Sequence, residues 1–408
     1  METLICVEND QPRERVPASM TIRRAFFCCP LAALLLAGNH FAGAQQSPAR
    51  ASRAALVARL DSIATDFLTA SPAAGMTIAV VGKGDTLLLK GYGERDREQH
   101  IAADANTVYR IASITKQFTA AAVMRLVERG RVKLEAPITT YLPQYPQWSS
   151  VSVRQLLNHT SGIKSYTSVP EWRARWADDL TPAQLVAFVE KAPFDFPPGS
   201  SWQYNNTGYV LLGMLLETVT KQPYAALVAS EFFTPLGMRS ADYCPSRPTD
   251  AAFAVGYDEE AGNYRPTVYL SMTHPYAAGG LCMSVPDYLR WQSALYGNRI
   301  VSARSLALMA GPETLTVGDR RGTTTGYGMG LGRGNVGTHP TIQHGGSIHG
   351  FSTQQYWFPN DSLSIVAFIN TSGAEQNWLV DNLASAVLGL PVRSKSPPAP
   401  AIKATGRR

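Results

Sequence analysis

Strand and hairpin patterns occur near both ends of the chain, whereas the residues between them follow helical patterns. The segments MTIAVVGKGDTLLLKGYG, residues 76–93, and STQQYWFPNDSLSIVAFIN, residues 352–370, each read as a β-hairpin. The stretch from about 130 to 275 is rich in Pro, Gly and Trp and carries short helical patterns. Two sheet halves this far apart in the chain can share one core only if they pair across an insertion. The sequence therefore predicts a sheet built from both ends and a mainly helical subdomain over about 130–275.

Length and composition limit the class of protein. Helical spacing predicts one helix over 52–68 and another over 377–388, outside the two hairpins. With 408 residues, 45% hydrophobic and 17% charged, the chain can bury a large core, and it is neither a disordered chain nor a membrane bundle. The net charge of +6 lies partly in the tail 393–408, which is predicted to be disordered. Basic runs interleaved with aromatic residues are absent, so nucleic acid is not an expected partner.

The N-terminus has the pattern of an export signal. Two arginines precede an apolar run over 25–38, and the small residues Ala-Gly-Ala at 42–44 fit a cleavage site. The run is too short for a membrane helix, and no other stretch of the sequence is long enough. The sequence predicts an N-terminal extension and signal peptide over 1–44, with Met20 as an alternative start. The mature domain would span 45–392 and lie in the periplasm or outside the cell.

The stretch IASITKQFTAAAVMRLVERG, residues 111–130, places Ser113 three residues ahead of Lys116 in an almost wholly apolar run. The pattern predicts a helix from about Ile114 that ends at Gly130. A lysine in the first turn of such a helix lies beside the core, where desolvation favours the neutral amine. Lys116 is therefore a candidate base for Ser113, whose backbone N–H is a candidate oxyanion donor. An N-cap serine beside a surface lysine would have the same spacing.

A tyrosine and an asparagine supply candidate partners. The phrase FPPGSSWQYNNTGY places Tyr204 and Asn206 in a turn-rich loop ahead of an apolar helix, where a phenol and an amide could face a cleft. Each short motif also has a second match, SGIK at 161–164 and YGN at 296–298. The first lies in a glycine-containing loop and the second follows a helical pattern, so context favours the matches at Ser113 and Tyr204.

The third stretch is IQHGGSIHG, in which His344 is followed by Gly345, Gly346 and Ser347 on an edge-strand pattern. Glycines there would let the backbone approach a ligand closely, and a backbone N–H could serve as a second oxyanion donor. His344 could equally cap a strand end. The histidines five residues to either side would point to the opposite face of a strand, which argues against a metal cluster.

The ordered trio SITK, YNN and HGGS resembles the serine β-lactamase and penicillin-binding-protein superfamily, in particular its class C-like branch. The phrases LLNHTSGI and AAGGLCMSVPDYLRW extend the similarity, which covers roughly 56–390. The resemblance implies an α+β fold, an α/β sandwich whose antiparallel sheet is flanked by helices, with a cleft beside the helical subdomain. It implies a serine hydrolase that forms an acyl-enzyme on D-amino-acid-containing peptides, β-lactams or small esters, with no cofactor and no metal.

By position, the resemblance also implies a role for each motif residue. Ser113 would be the nucleophile, Lys116 its base, and Tyr204 the group that passes the proton to the leaving group. Asn206 would orient the substrate amide. The backbone N–H groups of Ser113 and Ser347 would form the oxyanion hole.

One position departs from the class C pattern. Where those enzymes carry Lys-Thr-Gly, this chain has His-Gly-Gly at 344–346, and a histidine is only partly charged at neutral pH. Arg320, Arg321 or Arg333 could hold a substrate carboxylate instead. A true class C-type β-lactamase and a penicillin-binding sensor without turnover stay open as alternatives. The expected partner is a small molecule or short peptide, and the sequence is silent on oligomeric state.

The remaining chemistry-bearing residues indicate little more. Cys244 and Cys282 would remain after cleavage, either paired in an oxidising compartment or as two buried thiols. His159, in LLNHTSGI, is predicted to be structural, with its ring hydrogen-bonded to a nearby loop. The chain lacks Gly-x-Ser-x-Gly, Cys-x-x-Cys, His-Glu-x-x-His and phosphate-loop motifs, which disfavours other hydrolase and nucleotide-binding designs.

Overall fold

The computed structural model describes residues 48–71, 73–245, 250–311 and 324–393. The predicted signal peptide, most of the predicted disordered tail, Arg320 and Arg321 lie outside these ranges. None of the helices within them combines the length and apolarity that a membrane crossing needs.

The described chain alternates twelve α-helices with thirteen strands. The strands are β1 Gly75–Gly82, β2 Asp85–Asp96, β3 Ile101–Ala102, β4 Val108–Arg110, β5 Asp242–Tyr243, β6 Tyr257–Glu260, β7 Asn263–Pro266, β8 Leu281–Ser284, β9 Thr324–Tyr327, β10 Gly332–Val336, β11 His339–Ile348, β12 Phe351–Phe358 and β13 Leu363–Ile369. The helices are α1 Pro48–Ala70, α2 Thr115–Glu128, α3 Val153–Leu157, α4 Pro170–Arg173, α5 Pro182–Ala187, α6 Asn206–Thr220, α7 Tyr224–Val228, α8 Thr234–Leu236, α9 Tyr276–Gly279, α10 Val285–Tyr296, α11 Ala303–Ala310 and α12 Gln376–Leu388.

The large sheet joins the two ends of the chain. Over the described residues its eight strands lie in the order β3-β2-β1-β13-β12-β11-β10-β9, and each neighbouring pair is antiparallel. β1 pairs with β13 from Met76 opposite Ile369 to Gly82 opposite Leu363. This pairing confirms the prediction that the hairpins near the two ends form one sheet.

Helices cover both faces of this sheet. On one face α1 and α12 pack together, and the rings of Phe67 and Trp378 stack at 5.9 Å. On the other face lies the larger core around α2, where Phe118 stacks on Trp291 at 3.9 Å. Every residue of β13 is buried because helices pack on both sides of it. The antiparallel α/β sandwich implied by the resemblance is therefore confirmed.

The insertion is helical over only part of its predicted length. Helices and short turns continue from Gly130 to Leu236, but three short strands, β5, β6 and β7, lie between 242 and 266. β6 and β7 form a hairpin because Ala261 and Gly262 adopt positive φ angles of 53° and 86°, as a tight hairpin turn requires. These strands are short and polar, so their sequences carry no clear strand pattern.

The two cysteines lie close together at the small sheet β4-β8-β5, with Cys282 in β8 and Cys244 directly after β5. Cys244 and Cys282 are free and buried. Burial raises the pKa of the Cys282 thiol, and the neighbouring Cys244 thiol raises it further. Of the two alternatives left open by the sequence, the structure contains the pair of buried thiols.

Candidate active site

Ser113 lies in a tight turn that joins the small sheet to α2. The chain passes through a single 3₁₀ turn, Ala112–Ile114, before α2 begins at Thr115, one residue later than the sequence predicted. Ala112 has a φ of +48°, which is uncommon for a residue with a side chain. The hydroxyl of Thr353 donates to the Ile111 carbonyl at 3.0 Å and ties this turn to the large sheet. The turn therefore presents Ser113 at the junction of sheet and helix.

Lys116 is completely buried behind Ser113. Its Nζ lies 2.8 Å from the carbonyl oxygen of Ala278, 2.9 Å from Asn206 Oδ1 and 3.2 Å from Ser113 Oγ. Desolvation lowers the pKa of this amine well below its ordinary value. A neutral amine has two N–H donors and one lone pair. A neutral amine that donates to Ala278 and Asn206 would have its lone pair available to the Ser113 hydroxyl, as a base requires.

Asn206 holds Lys116 in this orientation. It is the first residue of α6, which Asn205 caps by accepting the Gly208 N–H at 2.7 Å. While its Oδ1 contacts the lysine, its Nδ2 donates to Thr167 Oγ1 at 3.1 Å. Both ends of the Asn206 amide are thus engaged within the protein. Its predicted role in orienting the substrate amide stays a prediction.

His159 clamps the loop that carries Tyr204. Its carbonyl accepts the N–H of Gln203 at 3.1 Å, and its Nδ1 accepts the N–H of Asn205 at 3.2 Å. The centroids of the His159 imidazole and the Tyr204 phenol lie 4.4 Å apart. Burial and the nearby Lys116 lower the pKa of His159, so the ring is neutral and Nδ1 can accept. The predicted bond from this ring to a nearby loop is therefore present, and the loop proves to be that of Tyr204.

The Tyr204 hydroxyl is buried and lies near Ser113. Burial raises its pKa above the ordinary value, and the interaction with the Ser113 hydroxyl opposes this shift only in part. The oxygen makes no regular hydrogen bond to other described residues. Since the phenol is protonated at neutral pH, it can give a proton to a leaving group but cannot abstract one from Ser113. The raised pKa of Tyr204 and the lowered pKa of Lys116 are consistent with the predicted roles of proton donor and base, which stay predictions.

The end of β11 that follows Gln343 lines the same cleft as Tyr204. Among the described strands, β10 pairs with β11 only as far as Gln343, and beyond it β11 lies against the 3₁₀ turn of Ser113. A Cβ on Gly346 would come 2.5 Å from the carbonyl oxygen of Ile111. The missing side chain therefore makes room for the turn that carries Ser113, and the predicted close approach of this glycine to a ligand stays a prediction. Ser347, the next residue, is exposed to the cleft.

His344 is buried and neutral. Its Nδ1 donates to the Gly345 carbonyl at 2.6 Å, so its Nε2 accepts from the hydroxyl of Tyr327 at 2.8 Å. Burial and the nearby Lys116 lower its pKa to about 3, although the Gly345 carbonyl opposes this shift. The prediction of a partly charged histidine is therefore wrong, because the sequence did not reveal its burial. Tyr327, which fixes the ring, belongs to none of the sequence motifs.

Because His344 is neutral, its titration should not contribute to the pH dependence of kcat/KM. For an uncharged ester, kcat/KM should fall in acid only as Lys116 takes up a proton, since the base is active above its pKa and lost below it. The H344N variant should keep the shape of the profile between pH 5 and 8, whatever its absolute rate. Profiles of kcat/KM for both proteins test this. The wild-type profile would contradict this expectation if it fell near pH 6.5, the ordinary pKa of histidine, and this fall disappeared in H344N.

The cleft has two lobes that meet at Ser113, Asn206 and Ser347. The first, here called the amide lobe, has a volume of about 400 Å³. Its walls include Tyr204, Tyr327, His344, Gly345, Gly346 and the amide side chains Gln343, Gln354, Gln376 and Asn377. The second, here called the aromatic lobe, has a volume of about 230 Å³. Its walls include Tyr166, Trp172, Leu270, His274, Ile348 and His349.

The described lining of both lobes carries no Asp, Glu, Lys or Arg side chain. Arg333, a candidate for binding a substrate carboxylate, instead donates to the Ala310 carbonyl at 2.9 Å. The described residues also contain no group of three or more His, Cys, Asp or Glu that could hold a metal. His339 bonds the carboxylate of Asp361 at 3.0 Å.

The second matches to the short motifs do not line the cleft. In the second Ser-x-x-Lys match, residues 161–164, Lys164 forms an ion pair with Asp195 and lies outside the cleft lining. Tyr296 ends α10 and stacks on Trp357 with ring centroids 5.2 Å apart. The structure thus brings together only the matches that context favoured.

Comparison with known proteins assigns most of the chain to one family. The beta-lactamase family profile matches residues 60–389. This chain belongs to the beta-lactamase family. Among similar members, the esterase EstB of Burkholderia gladioli is 30% identical over 362 residues, which cover 79% of this chain and 91% of the esterase. The putative penicillin-binding protein PbpX of Bacillus subtilis is 26% identical over 309 residues, covering 75% and 73% of the two chains.

A solved structure extends this likeness within the beta-lactamase family. The D-amino acid amidase of Ochrobactrum anthropi SV3, complexed with D-phenylalanine, superposes with a TM-score of 0.74 at 25% identity. The match covers 82% of this chain and 99% of the amidase. The protein is accordingly a serine hydrolase of the β-lactamase and penicillin-binding-protein superfamily that acts on amides or esters, as the sequence predicted.

Proposed function

We propose that this hydrolase forms an acyl-enzyme at Ser113 and cleaves esters and amides that carry no carboxylate beside the scissile bond. The observation that carries the proposal is the uncharged lining of the described cleft, in which His344 is neutral. A substrate carboxylate would be desolvated there without a cation to pair with. The chain is similar to an esterase and an amidase and also to a putative penicillin-binding protein, so the preference over penicillins, which carry a carboxylate, rests on the uncharged lining.

The chemistry follows from the geometry around Ser113. The lone pair of Lys116 takes the hydroxyl proton as Oγ attacks the carbonyl carbon. The oxyanion would accept hydrogen bonds from the backbone N–H groups of Ser113 and Ser347. Tyr204 passes the proton to the departing oxygen or nitrogen as that bond breaks. Water then attacks the acyl carbon of the ester. The bond from this carbon to Ser113 Oγ breaks, which releases the acid and restores the Ser113 hydroxyl.

Paired substrates test the proposal. The purified protein and its S113A variant would each be given a neutral p-nitrophenyl ester and, separately, benzylpenicillin, with turnover and intact mass followed in time. We expect Ser113-dependent turnover of the ester and little or no penicillin adduct. Rapid acylation by benzylpenicillin would overturn the carboxylate-free preference. The lifetime of that adduct would then separate a β-lactamase from a sensor without turnover.

A gain-of-function variant sharpens the same test. His344 lines the amide lobe, so H344K would place an amine where the described lining has no cation. We expect the ratio of kcat/KM for a carboxylate-bearing ester to that for its neutral analogue to rise by about tenfold, the scale of one charge-assisted hydrogen bond. An unchanged ratio would show that position 344 does not face the substrate carboxylate.

We also propose that the protein is exported to the periplasm or the cell exterior. The support is the sequence pattern over 1–44, in which basic residues, an apolar run and a small-residue cleavage site follow in order.

A further inference from the structure

The two lobes of the cleft are lined by different kinds of side chain, and the residues that line both include the proposed nucleophile, Ser113. Ser113, Asn206 and Ser347 line both lobes, so a substrate whose carbonyl lies at Ser113 extends one group into each. The two groups are the acyl part, which stays on the serine, and the leaving part, which departs. The question is which lobe receives which part.

The position of Tyr204 decides the direction. Tyr204 lines the amide lobe and is absent from the lining of the aromatic lobe. A group that gives its proton to the leaving atom must lie on the side of the leaving part. The leaving part therefore occupies the amide lobe and the acyl part occupies the aromatic lobe. This step rests on the proposed function, in which Tyr204 is the proton donor.

The wall of the aromatic lobe offers ring surface and few free polar atoms. The indole N–H of Trp172 donates to His274 Nδ1 at 2.8 Å, and His274 Nε2 donates to the Asp178 carbonyl at 2.7 Å. The Tyr166 hydroxyl donates to the His274 carbonyl at 2.6 Å. These polar groups of the wall thus have partners within the protein, whereas the buried Nδ1 of His349 makes no hydrogen bond to the described residues. Ring faces and edges therefore make up most of the surface that Tyr166, Trp172 and His274 offer to a ligand.

The same bonds hold the aromatic rings in place. Tyr166 and Trp172 meet edge to face with centroids 5.4 Å apart, an arrangement that aromatic pairs favour. Leu270 and Ile348 complete the apolar wall. The volume of about 230 Å³ exceeds that of the cavity of about 150 Å³ that encloses benzene in another protein, so a ring on a short linker fits.

We infer that the aromatic lobe is the acyl-binding site and selects esters and amides of arylalkanoic acids, such as a phenylacetyl group. Trp172 is then a specificity-determining residue that contacts the acyl part and takes no part in proton transfer. The amide lobe accepts varied neutral leaving groups through its Gln and Asn side chains.

Two esters with one leaving group test this inference. The ratio of kcat/KM for p-nitrophenyl phenylacetate to that for p-nitrophenyl acetate would be measured in the wild type, W172A and W172F. We expect W172A to lower the ratio by about tenfold, the scale of a lost hydrophobic contact in a binding pocket. W172F keeps a ring but loses the bond to His274, so its ratio should stay close to that of the wild type. Thermal melting would show whether each variant is folded.

A variant of the other lobe serves as the matched control. Asn377 lines the amide lobe near the start of α12. N377A should keep the acyl ratio and change the ratio between two phenylacetate esters that differ in leaving group. An unchanged acyl ratio in folded W172A, or the same loss of acyl ratio in N377A, would overturn the inference. Failure of the wild type to turn over either ester would instead contradict the proposed function.

Discussion

Replacing Lys116 with alanine is expected to lower the acylation rate of Ser113 by about 10³-fold, within the range that general bases contribute. The reason is geometric. Nζ of the buried Lys116 lies 3.2 Å from Ser113 Oγ, and the protonated Tyr204 cannot replace it as a base. Stopped-flow measurement of the acylation phase with a neutral p-nitrophenyl ester would give the rate.

Two further variants keep this prediction falsifiable. K116M retains most of the side-chain volume, so it should melt near the wild-type temperature and still lose acylation. K164A removes the lysine of the second Ser-x-x-Lys match, whose partner is Asp195, and should acylate at the wild-type rate. Acylation by folded K116A or K116M at the wild-type rate would refute the assignment of the base.

Substituting Gly346 with alanine is expected to lower kcat/KM by about 100-fold, the scale for a misplacement of about 1 Å at a reacting group. Its Cβ would lie 2.5 Å from the Ile111 carbonyl oxygen and 2.9 Å from the Ala112 Cβ. Both atoms belong to the turn that positions Ser113, so either the turn or strand β11 must move. Overpacking of this kind also costs roughly 1–3 kcal/mol of stability, and the melting temperature should fall.

The neighbouring glycine provides the control. A Cβ on Gly345 would come 2.3 Å from Oε1 of Gln354, the far end of a flexible side chain that can turn away. G345A should therefore lose much less activity and stability than G346A. Kinetics and thermal melting of the two variants side by side give the comparison. Equal losses would show that crowding of the nucleophile turn is not the cause.

The main sheet and the grouping of the motifs could be predicted from the sequence. The strand signal around residues 76–93 and 352–370 is strong because turn residues separate runs rich in apolar, β-branched and aromatic residues, as expected of the buried strands β1 and β13. The trio around Ser113, Tyr204 and His344 resembles a family, and the structure places all three around one cleft.

Other features depend on long-range packing that no local pattern records. Tyr327 reaches His344 from a strand whose sequence carries no motif, and the low pKa of His344 arises from burial. Strands β5, β6 and β7 lie in an insertion whose pattern is mainly helical, and each strand is too short to show a clear two-residue period. The aromatic lobe depends on how the loop with Tyr166 and Trp172 folds over the 270–275 segment.

The surroundings of Lys116 have a consequence for the charge that appears during each turnover. No carboxylate is among the hydrogen-bond partners of its Nζ in the described chain; two of them are the oxygens of Ala278 and Asn206. In the proposed mechanism the amine takes the serine proton, and the new cation then meets dipoles that already point at it, so no ion pair has to break or reform. The Asn206 dipole is held by Thr167 and the Ala278 dipole by the short helix α9, so neither needs to rotate. The reorganisation energy of the proton transfer is thereby kept small, because the solvating groups were oriented during folding.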